Sequence, residues 1–466
     1  MEKHLDRRKF LQSAALAGAA VALPHLGKAN DLSANAAPAI LKGKPKTKLN
    51  LGFIGVGLRG QSHVELALLR EDCEVVAIAD PQAVMVESCL KLFDDKNKKR
   101  PKVYDKGDYD YLELLKDPKI DAVLIASPWE WHTQQAVAAM HAGKYVATEV
   151  GGAFSLDECW QLVNTHEATG MHLMFMENVC YRRDVMAVLQ MVREGLFGEL
   201  IHFECGYQHD LREVKFNDGK NPYGGGVEFG EKGFHEAKWR TKHSVARNGD
   251  LYPTHGVGPV SMFTNINRGN RFLYLTSTSS KARGLHEYIV EHPKGGESHP
   301  NAKVEFHLGD VVTTVLKTVN GESVIISHDT NLPRPYSLGF RVQGTNGIWM
   351  DVNKSLMIEG KTAAHKWEDA QSWLDKYDHP LWKRYGDDAK AGGHGGMDFF
   401  VFHHFVECAK QNIAPQIDVY DAATWLAITP LSEASIAMSS APQAFPDFTR
   451  GRWIDRKPDF AIGDEF

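Results

Sequence analysis

Three glycines in a fixed spacing are the clearest chemical signal in this sequence. Gly55, Gly57 and Gly60 form a Gly-x-Gly-x-x-Gly pattern that closes a strand-like run and opens a helix-like one. Glycines so placed permit a tight turn and let a pyrophosphate approach the backbone at a helix N-terminus. Asp80 ends the next strand-like run, about twenty residues later, where a carboxylate accepts hydrogen bonds from ribose hydroxyls and repels a 2′-phosphate. The glycine pattern alone is weak, but together these features predict a dinucleotide site that favours NAD over NADP.

Two further strand-like runs end where the same crevice is expected. In such folds ligands bind beyond the carboxyl ends of the strands. One run leads into residues 127–132, Ser-Pro-Trp-Glu-Trp-His, and another into residues 148–152, Thr-Glu-Val-Gly-Gly. We predict cofactor contacts from both, although the first is also consistent with a helix cap holding buried aromatics and the second with a simple turn.

Aromatic, arginine and histidine side chains cluster in the predicted loops of the second half of the chain. Guanidinium and carboxylate groups bind hydroxyls, and aromatic faces pack on the C–H surface of a sugar. Each such residue taken singly is more often structural than functional, but the set as a whole indicates a carbohydrate pocket. The segments are residues 181–184, 206–210, 239–240, 252–256, 334–336 and 392–398.

From residue 49 onward, apolar runs rich in Val and Ile alternate with amphipathic helical patterns. Strands buried on both faces and joined by helices are typical of a parallel, doubly wound sheet. The predicted strands are residues 49–55, 74–80, 122–127, 144–149 and 172–177, and the predicted helices are residues 61–70, 82–93, 130–142, 156–169 and 184–194.

After about residue 184 this alternation stops. Short turns such as Asn320-Gly321 favour an antiparallel or mixed sheet. The predicted strands are residues 200–208, 272–279, 303–307, 311–318, 323–329 and 338–344, and the predicted helices are residues 398–410 and 422–437. The fold class is therefore predicted as α/β. An N-terminal Rossmann domain with a doubly wound parallel sheet (49–182) precedes an α+β substrate-binding domain with a large, mostly antiparallel sheet (183–466).

The composition is that of a soluble globular protein. Of 466 residues, 43% are hydrophobic and 24% are charged, and the formal net charge is −6. Neither nucleic-acid nor anionic-membrane binding is expected from this balance. The six cysteines form no Cys-x-x-Cys pair, so we expect buried free thiols rather than disulfides or a zinc site. No His-Glu-x-x-His or similar spacing indicates a catalytic metal.

The N-terminus has the pattern of an export signal. Residues 6–11 read Asp-Arg-Arg-Lys-Phe-Leu, and an Ala-rich apolar stretch that is too short to span a bilayer follows up to residue 23. The paired Arg7 and Arg8 indicate a twin-arginine signal; the alternative is a chance pair in an ordinary secretory signal. We predict a signal peptide at residues 1–29, a disordered spacer at residues 30–48 and a periplasmic location.

These motifs resemble those of the glucose–fructose oxidoreductase/inositol dehydrogenase (Gfo/Idh/MocA) superfamily. More narrowly, they are similar to glycoside hydrolase family 109, the NAD-dependent α-N-acetylgalactosaminidases. The most specific stretches are residues 53–61, 127–132, 177–184, 251–259 and 393–398. The wider superfamily usually has Glu-Lys-Pro where this chain has Glu149-Val150-Gly151, and its lysine serves acid–base chemistry in the dehydrogenases. The missing lysine argues against a simple alcohol dehydrogenase and fits the hydrolase branch.

The glycine turn and the resemblance together imply the site residues. The predicted cofactor contacts are Gly55, Gly57, Leu58, Arg59, Gly60, Asp80, Trp129, Glu130, Trp131, His132, Glu149, Val150 and Asn178. The predicted sugar contacts are Tyr181, Arg240, Tyr252, Pro253, Thr254, His255 and Tyr336. The predicted catalytic residues are His255, because a neutral imidazole is poised near working pH, with Tyr181 and Tyr252. Which tyrosine moves which proton is left open.

The resemblance implies hydrolysis without the usual pair of carboxylates. In that reaction NAD takes hydride from C3 of the sugar, the C2 proton becomes acidic, the C1 leaving group is eliminated, water adds at C1, and C3 is reduced again. The implied substrate is a glycan that ends in α-N-acetylgalactosamine. Two alternatives stay open: a net NAD-dependent sugar or inositol oxidoreductase, and a non-catalytic sugar-binding protein with a structural NAD. Assembly into a homo-oligomer is also left open.

Overall fold

The computed structural model describes residues 45–390 and 392–466. The predicted signal peptide and residues 30–44 of the predicted spacer lie outside the described residues. The last four residues of the predicted spacer, 45–48, are described. The backbone N–H of Lys46 donates to the carbonyl of Lys410 at 2.8 Å, and Lys48 pairs with Glu74 at 2.9 Å. These contacts join the start of the described chain to Lys410, far along the chain, and to Glu74 in the first sheet.

The first sheet has six parallel strands in the order β3-β2-β1-β4-β5-β6. The order reverses between β1 and β4, and in open α/β sheets the ligand site lies at that point. The strands are β1 (Leu49–Ile54), β2 (Cys73–Ala79), β3 (Lys102–Tyr104), β4 (Ala122–Ile125), β5 (Tyr145–Thr148) and β6 (Leu173–Phe175). The helices between them are α1 (Leu58–Leu68), α2 (Ala83–Asp95), α3 (Tyr111–Leu115), α4 (Trp129–His141) and α5 (Leu156–Thr169).

Local sequence explains most of this sheet. Every residue of β4, β5 and β6 is buried, as expected for strands covered on both faces. α5 begins at the predicted residue because Ser155 caps it: its hydroxyl accepts the N–H of Glu158, and the Glu158 carboxylate accepts the N–H of Phe154. β3 and α3 were not predicted, because they are too short for a periodic pattern to show.

The second sheet has nine strands in the order β14-β13-β12-β11-β7-β10-β9-β8-β15. It is mostly antiparallel, but β7 and β10 pair in parallel. The strands are β7 (Leu200–Gln208), β8 (Phe272–Ser279), β9 (Val311–Thr318), β10 (Ser323–Asp329), β11 (Arg341–Gly344), β12 (Gly347–Met350), β13 (Ser355–Ile358), β14 (Glu368–Asp369) and β15 (Gln443–Ala444). The predicted turn at Asn320-Gly321 joins β9 to β10, and Gly321 has φ +107°.

Eleven further helices accompany this sheet in the described residues. They are α6 (Arg183–Arg193), α7 (Arg212–Lys215), α8 (Glu236–Trp239), α9 (Thr241–Ala246), α10 (Thr254–Phe263), α11 (Gly284–Glu291), α12 (Gln371–Lys376), α13 (Pro380–Ala389), α14 (Met397–Gln411), α15 (Val419–Leu426) and α16 (Ile428–Ala437). Burial alternates along β9, so one face of the sheet is covered and the other is not. None of the helices in the described part is long and apolar enough to cross a membrane.

The α/β fold class and the two types of sheet are confirmed, and two predicted elements are corrected. Residues 303–307 do not form a strand, because the N–H groups of His307 and Leu308 donate to the carbonyl of Ser244 in a loop. The helix predicted at residues 422–437 is two helices, α15 and α16, which meet at Ala427. Both sheets belong to one compact unit, so a domain boundary between residues 182 and 183 stays a prediction.

Two glycines let α10 pack closely between the sheets. A Cβ at Gly256 would lie 2.7 Å from the backbone nitrogen of Gly206 on β7. A Cβ at Gly258 would lie 2.9 Å from Cγ of Glu177 and 3.1 Å from Sγ of Cys180. The first turn of α10 is thereby held against the end of the first sheet. All six cysteines are buried and free, as predicted.

Candidate active site

A cavity of about 390 Å3 lies between the glycine turn and the loops of the second sheet. Its walls come from both halves of the chain. From the first half they include Gly55, Gly57, Leu58, Arg59, Asp80, Trp129, His132, Glu149, Val150 and Asn178. From the second half they include Tyr207, Tyr223, His235, Glu236, Trp239, Arg240, Tyr252, His255 and His394.

The three glycines of the turn have different physical roles. Gly55 has φ +84°, and a Cβ there would lie 2.5 Å from the backbone nitrogen of Ser127. A Cβ at Gly60 would lie 2.1 Å from the carbonyl oxygen of Gly55, so α1 can only start this close to β1 without a side chain. A Cβ at Gly57 would meet no atom within 4 Å. Gly55 and Gly60 therefore serve the fold, and Gly57 leaves the backbone open to the cavity.

The N-terminus of α1 is suited to an anion. The first backbone N–H groups of an α-helix have no partner within the helix. At α1 the residue before the helix is Gly57, which provides no capping side chain, and the first turn holds no acidic residue. The positive end of the helix dipole therefore faces the cavity without a capping side chain. This arrangement fits the pyrophosphate of a dinucleotide.

Asp80 lies at the lip of the same cavity, just after β2. Its carboxylate accepts the backbone N–H of Val56 at 2.9 Å and that of Gln82 at 2.8 Å. Burial raises the pKa of Asp80, and these two hydrogen bonds oppose that shift. The carboxylate thus ties the glycine turn to the end of β2, in the part of the cavity lining where the ribose is predicted.

Replacing Asp80 with alanine should weaken NAD binding by about 10-fold or more, because hydrogen bonds to charged groups are among the stronger ones. The preference for NAD over NADP should fall as well. Titration of nucleotide-free protein with each dinucleotide measures both effects. Asp105→Ala, at the end of β3 and outside the cavity lining, is the matched control. Equal affinities for Asp80→Ala and the unmodified protein would remove Asp80 from the site.

The glycine pair after β5 is more than a turn. Gly151 and Gly152 both have φ +88°, and side chains there would collide with Trp129 and His132. His132 lies between the carbonyls of Ser127 and Gly151, at 2.7 and 3.1 Å. The two strand ends that the sequence analysis noted separately therefore form one packed wall of the cavity.

Glu149 anchors a buried set of charges behind this wall. Its Oε1 accepts Nε of Arg59 and lies beside Nε2 of His63, each at 2.6 Å. Burial opposes ionisation of Glu149, but the charge of Arg59 and the hydrogen bond with His63 outweigh it and lower its pKa to about 2. Glu149 is therefore a fixed negative charge.

Arg240 is held among aromatic rings at the start of α9. Its guanidinium lies 4.8 Å from the ring centre of Trp129 and 5.3 Å from that of Tyr252, and it pairs with Glu236. Burial works against its charge, but Glu236 outweighs this and raises the pKa of Arg240. A permanent cation next to aromatic faces suits sugar hydroxyl or acyl oxygens.

His255 is oriented by a buried carboxylate. Its Nδ1 lies 2.7 Å from Oε1 of Glu177, whose side chain is fully buried. A carboxylate only accepts, so Nδ1–H donates to it and Nε2 is left to accept or donate a proton. Glu177 is fixed in turn by the N–H of Val179 at 3.1 Å. Because Gly258 has no side chain, α10 packs closely against Glu177, and His255 on the same helix reaches its carboxylate.

Tyr207 is the main residue that the sequence analysis missed. It was noted as part of the segment 206–210 but not as a site residue. Its ring packs against Tyr252 at 4.6 Å and His255 at 5.4 Å, and its hydroxyl lies 3.1 Å from Nδ1 of His209. Burial raises its pKa, so the phenol is protonated and able to donate. Only its position at the end of β7, beside β10, brings it to the cavity.

Tyr181 was predicted as a catalytic and sugar-binding residue, and this prediction is corrected. Its side chain is 1% exposed, its hydroxyl bonds to His404, and its ring stacks on Phe400. The 3-10 helix Asn178–Tyr181 turns it into the core, while Asn178 lines the cavity.

Some other predicted residues lie next to the cavity rather than in its lining. Trp131 packs on Tyr109, and Glu130 pairs with Lys242. Tyr336 is half exposed and packs edge-on against His209 at 4.9 Å. Pro253 and Thr254 form the start of α10. No group of three His, Cys, Asp or Glu residues in the described ranges is arranged to hold a metal ion.

Two protein-family models match the chain. Residues 49–177 match the oxidoreductase family with an NAD-binding Rossmann fold, and residues 181–455 match the C-terminal domain of glycosyl hydrolase 109. A glycosyl hydrolase family 109 protein of Stenotrophomonas maltophilia is 50% identical over 99% of both chains. An alpha-N-acetylgalactosaminidase of Tannerella forsythia is 53% identical over 90% of both chains. A solved levoglucosan dehydrogenase, in complex with NADH and levoglucosan, has a similar fold with a TM-score of 0.59 at 18% identity, covering 86% of this chain and 99% of that one.

Proposed function

The chain belongs to glycoside hydrolase family 109, and we propose that it releases terminal α-linked N-acetylgalactosamine from glycans by an NAD-dependent reaction. One observation carries this proposal. A dinucleotide cradle and a cluster of Tyr, His and Arg side chains share a single cavity. The name of the Tannerella forsythia relative supports the choice of sugar.

The carboxylates of the cavity argue against the usual glycosidase mechanism. That mechanism needs two carboxyl groups on either side of the scissile bond. Among the described lining residues, Asp80 is bonded to two backbone N–H groups and Glu149 to Arg59, His63 and its neighbour's N–H. The third, Glu236, pairs with Arg240. Each is engaged in positioning, so the reaction needs another chemistry.

NAD is the cofactor, and the residues present fit it. The uncapped α1 N-terminus after Gly57 would hold the pyrophosphate, Asp80 the ribose, and the wall of Trp129, His132 and Val150 the nicotinamide end. When bound, NAD supplies reversible removal of hydride at C3 of the sugar, which makes the C2 proton acidic without a net redox change.

The side chains of the second half supply binding and proton transfer. Arg240 holds sugar oxygens, and Tyr252 provides an aromatic face beside it. His255 moves a proton through Nε2, because Glu177 holds Nδ1–H and fixes the tautomer. Tyr207, protonated in its buried position, donates a hydrogen bond next to His255. No lysine lies at the end of β5, where Val150 follows Glu149.

Label exchange tests this function most directly. Purified protein, without added NAD, should hydrolyse an aryl α-N-acetylgalactosaminide, and a substrate deuterated at C2 should lose its label to water during turnover. An aryl β-glycoside of the same sugar is the control. Full retention of deuterium in the released sugar would contradict an elimination step.

A second readout distinguishes the proposed reaction from that of a net sugar or inositol oxidoreductase. The proposed reaction returns the cofactor to its starting state, so absorbance from NADH should not accumulate while the aryl group is released. Accumulation of NADH in proportion to consumed substrate would favour the oxidoreductase alternative. Binding of sugar without any turnover would favour the non-catalytic alternative.

Gly258→Ala should lower glycoside hydrolysis while leaving NAD bound. The added Cβ would lie 2.9 Å from Cγ of Glu177 and displace the carboxylate that holds His255. The cost in stability should be about 1–3 kcal/mol, which is typical of overpacking. Gly386→Ala in α13 is the matched control, because its Cβ meets only Trp382 at 3.8 Å. Kinetics and thermal unfolding of both variants check this, and unchanged turnover in Gly258→Ala would separate Glu177 from the mechanism.

We further propose that the chain reaches the periplasm through a twin-arginine signal at residues 1–29. The support is the Arg7-Arg8 pair before an apolar stretch. A redox-neutral enzyme that carries its own NAD needs no NAD pool, which suits that compartment. Changing both arginines to lysine should leave the protein in the cytoplasmic fraction. Periplasmic recovery of this variant would contradict twin-arginine export.

A further inference from the structure

The start of α14 is bonded to the glycine-turn helix of the first half. Asp398, the second residue of α14, has a side chain that is 1% exposed. Its Oδ2 accepts Nη1 of Arg59 at 2.5 Å, and its Oδ1 accepts Nη2 at 2.9 Å. Oδ1 also accepts Nδ2 of Asn178 at 2.7 Å. A bidentate, buried contact of this kind is among the strongest polar contacts in proteins.

His394 completes the contact from the turn before α14. Its Nδ1 lies 2.8 Å from Oδ2 of Asp398 and 3.5 Å from Nη1 of Arg59. His394, Gly395 and Gly396 all have positive φ, of 52°, 68° and 97°. This backbone shape brings the imidazole to the cavity wall, which it lines together with Arg59.

Arg59 is held from its other side as well. Its Nε donates to Glu149 at 2.6 Å, so the guanidinium bridges two carboxylates that lie 249 positions apart, at residues 149 and 398. Burial opposes ionisation of Asp398, but the hydrogen bond with His394 and the charge of Arg59 outweigh it and hold its pKa far below the usual range. The contact between Arg59 and Asp398 is therefore a charged ion pair.

The contact between Arg59 and Asp398 lies next to the predicted position of the cofactor's pyrophosphate. Arg59 is the second residue of α1, directly after the open Gly57 that faces the cavity. A segment of the second half, residues 392–398, is thus fastened to the rim of the pyrophosphate cradle. None of the chemistry assigned to His255, Tyr207 or Arg240 uses Asp398 or His394.

We propose that Asp398 and His394 form a latch on Arg59 that retains NAD between turnovers by keeping residues 392–398 closed against the glycine turn. The proposal rests on the proposed function, in which the same NAD serves successive turnovers and has no need to leave. Asp398 and His394 are positioning residues: they govern how long the cofactor stays, not the reaction on the sugar.

Exchange of bound NAD against excess isotopically labelled NAD tests the latch. Asp398→Asn keeps the shape of the side chain and removes its charge. It should speed NAD release by about 10-fold or more, because loss of one partner of a buried charge pair acts mainly on dissociation. His394→Ala should speed release in the same direction and to a smaller extent. The His394 side chain is 61% exposed, so this variant folds even if Asp398→Asn does not.

Asp72→Asn is the matched control. Asp72 makes a comparable bidentate contact with Arg70, with both distances 2.8 Å, away from the cavity. NAD release from Asp72→Asn should be as slow as from the unmodified protein. Equal release rates in His394→Ala, Asp398→Asn and the unmodified protein would overturn the latch, as would an unmodified protein that retains no NAD. The assay contains no glycoside, so a protein that holds NAD but hydrolyses nothing refutes the proposed function and not the latch.

Discussion

Replacing His255 with alanine should lower glycoside hydrolysis by about 10²- to 10⁴-fold, the usual contribution of a positioned acid–base group. The reason is the contact between Nδ1 and Glu177, which leaves Nε2 as the proton carrier in the cavity. NAD should remain bound, because His255 belongs to α10 and not to the glycine turn. Steady-state kinetics and the nucleotide content of the purified variant measure the two effects separately.

A control on the second sheet guards against a general effect of losing a histidine. His202 on β7 lies 3.6 Å from a carboxylate oxygen of Glu204, outside the cavity lining. His202→Ala should keep normal turnover. If His255→Ala retained the C2 exchange of deuterium at the normal rate, His255 would not be the residue that removes that proton.

Two alanine substitutions in the glycine turn should both weaken NAD binding, but only one of them should lower the stability of the fold. In Gly60→Ala the new Cβ meets the carbonyl oxygen of Gly55 at 2.1 Å, and neither backbone can yield without separating α1 from β1. The free energy of unfolding should fall by about 3 kcal/mol or more, at the upper end for overpacked sites. Denaturation of nucleotide-free protein measures this.

Gly57→Ala should fold as stably as the unmodified protein, to within about 1 kcal/mol. Its Cβ meets no atom within 4 Å, and its φ of −66° is available to alanine. The methyl group would instead occupy the space through which a pyrophosphate approaches the backbone, so NAD affinity should fall by about 10-fold or more. Normal NAD binding by Gly57→Ala would place the pyrophosphate elsewhere.

Local signals in the sequence predicted most of the elements. The strands of the first sheet are buried on both faces, so their apolar runs are continuous and easy to find. The ends of β7, β8, β9 and β10 agree with the predicted residues because alternation and turn residues mark them. Residues 303–307 also look like a strand, but no strand in the described part of the chain pairs with them: Val304 donates its backbone N–H to Asn301 and His307 donates to Ser244.

The residues of the candidate site likewise fall into those that local sequence marks and those that it does not. The sequence by itself determined the glycine turn and Asp80, because a turn that needs glycine and a carboxylate at a strand end are local requirements. The absence of a lysine after Glu149 was also readable, and with the resemblance it separated hydrolysis from simple oxidation. Tyr181 was predicted as a site residue but is buried in the core. The sequence around a tyrosine does not show which way its side chain turns.

Only the tertiary structure decided which side chains act together. His255 and Glu177 are 78 positions apart, and Arg59 and Asp398 are 339 apart. Nothing local marks such partners, because their contact depends on how α10 and α14 pack against the first sheet. Tyr207 reaches the cavity for the same reason, through the parallel pairing of β7 with β10. Local chemistry in the sequence predicted the dinucleotide cradle, while packing between the two sheets set which side chains of the second half line the cavity and which contact Arg59.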